Sequence, residues 1–145
     1  MSGNFSPEIY IAINLRRYLI DEGYTIFQLI SPGGQCGWSL LYHDSSGDRR
    51  TCYPDLICFS NEKIILGEAK PKYSDEDRKK LIAIKNSLDG STNLRNMLTR
   101  KYNREFNSVP IEFVLIHGDQ ECPKNIELTQ IVFTDEKVYF IYPIN

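Results

Sequence analysis

At 145 residues, with 41% hydrophobic and 25% charged side chains, the chain is long enough to bury one core unaided and reads as a single domain over residues 1–145. Seventeen Lys and Arg against nineteen Asp and Glu give a formal net charge of −2, which excludes a protein that coats nucleic acid through a general basic field. No apolar run approaches a membrane span and the opening MSGNFSPE lacks a charged-then-apolar leader, so a soluble cytoplasmic protein with no membrane partner is expected.

The first predicted element is a helix, with Ser6 as cap and Pro7 at its first position, running to about residue 22 and stopped by Gly23. Ile11, Ala12, Leu15, Tyr18 and Leu19 form its apolar stripe, and Tyr10, Asn14, Arg17 and Asp21 its polar one. Glu8, three and four residues before Ile11 and Ala12, extends the buried stripe. Residues 24–30 read as a strand, followed by the loop Ser31-Pro32-Gly33-Gly34, a strand over 38–43, and a DSSGD turn leading into 50–59.

Residues 55–60 and 63–69 are two apolar runs separated by little more than Asn61-Glu62, which predicts an antiparallel hairpin. A helix is expected from near Ser74 to about residue 88, broken by Asp89-Gly90, and a second over about 92–106. The nearly all-apolar 111–117 predicts a central strand buried on both faces. Two closing strands, about 128–134 and 137–142, meet at Asp135-Glu136. This order implies an α/β fold with a mixed central sheet flanked by helices. Cysteines at 36, 52, 58 and 122 have no CxxC spacing, so neither a zinc site nor a disulfide framework is expected, and Cys58 reads as a small core residue. His43 and His117 have no partner at ligand or triad spacing and read as structural.

Chemistry enters at the hairpin. A turn centred on residues 61–62 sets Asp55 directly across from Glu68, with Cβ atoms about 4.5–5.5 Å apart. Lys70, two residues past Glu68, falls on the same face. Like charges opposed across a sheet destabilise it unless a cation or proton lies between them. The competing reading is a solvated strand face, with Asp55 capping a turn after Pro54. Gly67 and Ala69 point the other way, and their small side chains let a helix pack close behind the strand.

Pro54-Asp55, a gap of twelve residues, then Glu68-Ala69-Lys70 resembles the PD-(D/E)xK nuclease superfamily, and the chain is most similar there to small Holliday junction resolvases and restriction nucleases. The resemblance covers residues 6–90, including the opening helix with Glu8 and the Gly23-Tyr24 step into the first strand. It implies a restriction endonuclease-like αβββαβ core. Residues 75–85 lack the glutamine that many relatives carry after the lysine.

Asp55, Glu68 and the backbone carbonyl of Ala69 are hard oxygen ligands suited to Mg²⁺ or Mn²⁺, and Lys70 is the candidate to hold or help deprotonate the attacking water and stabilise the pentacovalent state, its alternative being a charge partner that balances the two acids. Glu8, by resemblance, reaches the metal through water or serves a second metal; its alternative is an acid favoured by the helix dipole. Lys72 is a candidate phosphate contact or else a solvated strand end. Arg95, Arg100, Lys101 and Arg104, with no acid among them, are the candidate backbone-contacting patch, though a solvated basic helix accounts for them equally. Arg78, Lys79 and Lys80, interleaved with Asp75, Glu76 and Asp77, read as helix-surface pairs. Gln35, in the glycine-rich loop, is a place where DNA approaches closely.

The expected function is divalent-metal-dependent phosphodiester hydrolysis, an endodeoxyribonuclease of recombination, repair or defence against foreign DNA. The alternatives are a non-cleaving nucleic-acid-binding or assembly subunit and a ribonuclease. The resolvase resemblance implies a symmetric homodimer, and a defence or recombination complex is the other expected assembly.

Overall fold

The computed structural model describes residues 7–30, 37–134 and 139–142, apart from the side chains of 7–9 and 140. Its elements are α1 (Pro7–Asp21), β1 (Thr25–Leu29), β2 (Leu40–His43), β3 (Arg49–Cys52), β4 (Leu56–Phe59), β5 (Ile64–Ala69), α2 (Asp75–Lys85), α3 (Leu88–Tyr102), β6 (Ile111–His117), β7 (Thr129–Phe133) and β8 (Tyr139–Tyr142). Six strands form one mixed sheet in the order β1-β4-β5-β6-β7-β8. Pairing is antiparallel at β1/β4, β4/β5 and β7/β8 and parallel at β5/β6 and β6/β7, so the fold is α/β. The parallel β5–β6 step needs a long crossover, which α2 and α3 supply. No helix among the described residues is long and apolar enough to cross a membrane.

Strand alternation divides the core into two layers. On one face Ile11, Leu15 and Leu19 of α1 pack against Leu56, Cys58, Ile65 and Ala69. On the other, Leu81, Ile84, Leu94 and Leu98 of α2 and α3 pack against Ile57, Phe59, Ile64 and Leu66. Glu68 shares the parity of Ile64 and Leu66, so it points to the α2 side. Phe59 anchors the turn end of the hairpin, with Tyr102 and Phe106 meeting it edge-on at 4.6 and 5.0 Å between ring centroids.

Local chemistry explains the ends of the elements. Gly23, at φ 84°, closes α1: its N–H donates to the Ile20 carbonyl and the Tyr24 N–H to that of Leu19. The expected cap Ser6 lies outside the described residues. Asn14, placed by sequence on the polar stripe, is instead buried, and its amide nitrogen has no hydrogen-bond partner among the described residues.

Residues 50–59 are not one strand, because Pro54 has no N–H to donate and the chain bends at 53–55 between β3 and β4. With β1 and β5 filling both edges of β4, the β2–β3 hairpin forms a sheet of its own and rests on α3, where Asn93 Nδ2 donates to the Leu41 carbonyl at 2.9 Å. The helical break falls at Asn86-Ser87 rather than Asp89-Gly90. Ser87 caps α3 by accepting from the Gly90 N–H, Asp89 is the acid of the first turn, and Gly90 lies under Tyr42.

Candidate active site

The β4–β5 register pairs Phe59 with Ile64, Cys58 with Ile65, Ile57 with Leu66 and Leu56 with Gly67. One step further sets Asp55 opposite Glu68, the juxtaposition expected from the turn at 61–62. The ladder itself ends at Leu56, and Asp55 uses the vacated position differently: its Oδ2 accepts from the Ala69 N–H at 3.0 Å. A residue's N–H and C=O share one side of a strand, so the Ala69 carbonyl faces the Asp55 side, while the Lys70 N–H turns to the Ile116 carbonyl on β6.

Two contacts hold Asp55 in place. Its own carbonyl accepts from the Ile30 N–H at 2.8 Å. Gln28 grips the preceding residue, its Nε2 donating to the Pro54 carbonyl at 2.7 Å and its Oε1 accepting from the Trp38 N–H at 2.9 Å. A bulge between Ile26 and Gln28 places Gln28 opposite Ile57, on the α2 side of the sheet. Sequence reading missed Gln28, since nothing in a TIFQL strand marks a bulge.

Glu68 is 3% exposed. Burial, then the hydrogen bond with Asp55 and its negative charge, push the Glu68 carboxyl up to about 8, and the Lys80 ammonium only partly opposes them. Lys80 Nζ lies 2.8 Å from Glu68 Oε1 and 3.8 Å from Asp77 Oδ1. Burial disfavours the Lys80 ammonium, but the Glu68 and Asp77 carboxylates outweigh it and the net shift is upward. Lys70, the lysine of the motif, reaches Asp77 Oδ2 at 3.2 Å instead, with its side chain 49% exposed. The result is a run of ion pairs, Glu68, Lys80, Asp77 and Lys70, that begins at the carboxylate opposite Asp55. Glu68 Oε1 and Asp77 Oδ2 are buried and meet their lysines by proximity without hydrogen-bond alignment.

Asp77 and Lys80 correct the reading of 75–80 as surface pairs. Arg78 and Lys79 do pair with Asp75, at 2.7 and 3.5 Å, but Asp77 is 5% exposed. The overlooked signal is helical spacing: Asp77 stands four residues before Leu81 and seven before Ile84, the buried stripe of α2. The Ser74 cap, which accepts from the Asp77 N–H, fixes the turn that carries it.

The donor set suits a hard divalent cation. Two carboxylates opposed across a hairpin, one of them buried, need a proton or a metal between them, and with a main-chain carbonyl they leave room for the waters that Mg²⁺ retains. Among the described residues no group of three or more His, Cys, Asp or Glu side chains forms a metal cluster, so the fit rests on this pair and the Ala69 carbonyl. Glu8 lies in α1, and its side chain is outside the described set.

The remaining candidates are dispersed. Lys72 is exposed in the β5–α2 loop. Arg95 is engaged with the Val109 carbonyl, at 2.9 Å from its terminal nitrogen, and Arg104 stacks on Phe59 and Phe106, 5.2 and 4.7 Å from the ring centroids. Arg100 and Lys101 are exposed on the last turn of α3. Phe59 is four residues along β4 from Asp55, so this patch sits at the hairpin's other end, about 13 Å away. It does not form one surface with the carboxylates. Gln35 lies outside the described residues. A cleft of about 470 Å³ near Lys85, Ile111 and Glu127 opens at the turn end too, and its Glu112 is already engaged by Lys63 and Thr129.

The histidines are structural. His117 is buried, its Nδ1 accepting from the Asp119 N–H and its Nε2–H donating to Gln130 at 2.8 Å. His43 Nδ1 lies 2.7 Å from Asp89 Oδ2 on the surface. Cys52, Cys58 and Cys122 are free and buried, and burial pushes the Cys52 and Cys58 thiols up to about 12. No protein-family model matches the chain, and comparisons with curated proteins and with solved structures return no match.

Proposed function

We propose that the chain is a divalent-metal-dependent nuclease with a restriction endonuclease-like core, acting on DNA as an endonuclease. The observation that supports this is the hairpin register that sets Asp55 opposite the buried Glu68 at the open end of β4–β5, with Lys80 2.8 Å from Glu68. A sheet gains no stability from two opposed carboxylates, and Gln28 and the Ala69 N–H fix one of them in position.

When bound, Mg²⁺ or Mn²⁺ supplies an acidified water and charge neutralisation at the scissile phosphate. Asp55, Glu68 and the Ala69 carbonyl would hold it, and binding there would displace a proton held by the Glu68 carboxyl. Lysine ammonium groups on the α2 side face the charge that develops on the phosphate, and the α1 layer behind Ala69 keeps water from the rear of the strand. DNA is the proposed partner, with recombination, repair or defence as the setting.

The test is incubation of labelled duplex, junction, single-stranded DNA and RNA with the protein, with and without Mg²⁺. Metal-dependent cleavage of DNA that is lost in Glu68→Gln is expected. Cleavage of RNA alone would make the protein a ribonuclease, and binding without cleavage in Mg²⁺ or Mn²⁺ would make it a non-cleaving subunit.

A further inference from the structure

We propose that Lys80 of α2, rather than Lys70 of the hairpin, is the catalytic lysine, the side chain whose ammonium contacts the scissile phosphate beside the Asp55–Glu68 pair. The inference rests on the nuclease reading above and assigns a role within it.

The two lysines differ in where the fold sends them. Lys80 Nζ stands 2.8 Å from Glu68 Oε1, while Lys70 Nζ is held 3.2 Å from Asp77 Oδ2, one carboxylate further out. Asp77 thus separates Lys70 from Glu68 and lies within 3.8 Å of Lys80 as well.

Their supports differ too. Lys70 follows the last residue of β5 and leads into the exposed Lys72 turn, with its side chain 49% exposed. Lys80 sits mid-helix on an element pinned by the Ser74 cap and by Leu81 and Ile84 in the core. The backbone that carries it is therefore fixed, and its side chain remains 33% exposed, open in part to a backbone phosphate. A preorganised donor beside the reacting centre is worth far more than a mobile one.

Lys80 stays protonated throughout. Water forms the new P–O bond and gives up one proton to solvent, while the leaving oxygen takes the electron pair of the broken P–O bond and a proton from solvent. The Lys80 ammonium donates to a non-bridging oxygen, which carries more negative charge in the transition state than in the substrate. With a divalent cation held by the carboxylates, Glu68 would no longer need this ammonium as its counter-charge, which would leave it for the phosphate.

The test compares Lys80→Met, Lys80→Arg, Lys70→Met and Glu68→Gln on the DNA that the wild type cleaves, at saturating Mg²⁺ and substrate, with Mn²⁺ affinity and Tm measured alongside. Lys80→Met is expected to lower kcat at least about 100-fold, with KM and Mn²⁺ affinity within a few-fold of wild type; Lys70→Met loses less than about tenfold. A lysine that merely balances Glu68 would instead change metal affinity or Tm, and its rate would return at saturating metal. Should Lys80→Met fail to fold, Lys80→Arg decides, because it keeps the charge but moves the donor: a kcat loss of at least about tenfold is expected.

Near-wild-type kcat in the folded Lys80 variant, or a larger loss in Lys70→Met, overturns the assignment of Lys80 while leaving the nuclease reading intact, provided Glu68→Gln is inactive. A wild-type protein that cleaves nothing in Mg²⁺ or Mn²⁺, or a fully active Glu68→Gln, overturns both.

Discussion

Glu68 is a carboxyl in surroundings that oppose its charge, and this governs how the metal-free protein responds to pH. Its value of about 8 in the fold stands above the ordinary 4.5, so between those limits the folded state holds a proton that the unfolded state has lost. The contribution to stability is therefore complete below about pH 4.5 and fades as pH rises towards 8. Glu68→Gln removes this dependence. At pH 8 its Tm should exceed that of the metal-free wild type by about 5 °C or more, with the gap closing at pH 4.5, as read by thermal melts across that range. A gap that is constant with pH would place the proton elsewhere.

Activity at this scale should follow the carboxylates. Asp55→Asn and Glu68→Gln are each expected to lower cleavage at least about 1,000-fold while folding normally, as measured by single-turnover rates alongside circular dichroism. The two acids were legible in the sequence because a hairpin with a two-residue turn has a computable register. Asp77 and Lys80 were not: their contacts cross from helix to sheet, and alternating charges read as solvated unless the acid is weighed against the Leu81 and Ile84 stripe.

Among the elements, the catalytic hairpin is constrained on all sides. A Cβ at Gly67 would come within 2.9 Å of Ile116 Cδ1 and 3.0 Å of the Val114 carbonyl. The obstacle is thus the neighbouring strand β6, not the helix that sequence reading placed behind it. Gly67→Ala should therefore destabilise by about 1–3 kcal/mol, seen as a lower denaturant midpoint at unchanged slope.

Gln28 makes a different case, since it holds the bend bearing Asp55 without touching the carboxylates. Gln28→Ala should weaken Mn²⁺ binding by about tenfold, whereas a purely structural glutamine would lower Tm and leave metal affinity alone. Strands with a full apolar run, such as β6, were legible to the residue. The exclusion of β2–β3 from the main sheet was not, because it follows from which edges of β4 are already filled.

For the whole molecule, the question is how a chain of net charge −2 holds a polyanion. The cationic groups of residues 95–104 stand at the turn end of the hairpin, with Arg95 and Arg104 engaged by the Val109 carbonyl and by aromatic rings. Only a strand that passes both ends of the hairpin meets the carboxylates and the exposed Arg100 and Lys101 together. Neutralising Arg100 and Lys101 should weaken binding of a long duplex and flatten its salt dependence, yet leave an oligonucleotide of about four nucleotides unaffected. Equal loss for both lengths would mean that the patch acts at the site itself.

Calorimetric titration of the wild type, Asp55→Asn and Glu68→Gln with Mn²⁺ at pH 8 tests the metal centre most directly. The wild type should bind at Asp55, Glu68 and the Ala69 carbonyl with partial release of a proton, and each variant should lose that binding. A wild type that takes up no Mn²⁺, or variants that bind it as tightly, would contradict the assignment of the Asp55–Glu68 pair as a metal centre.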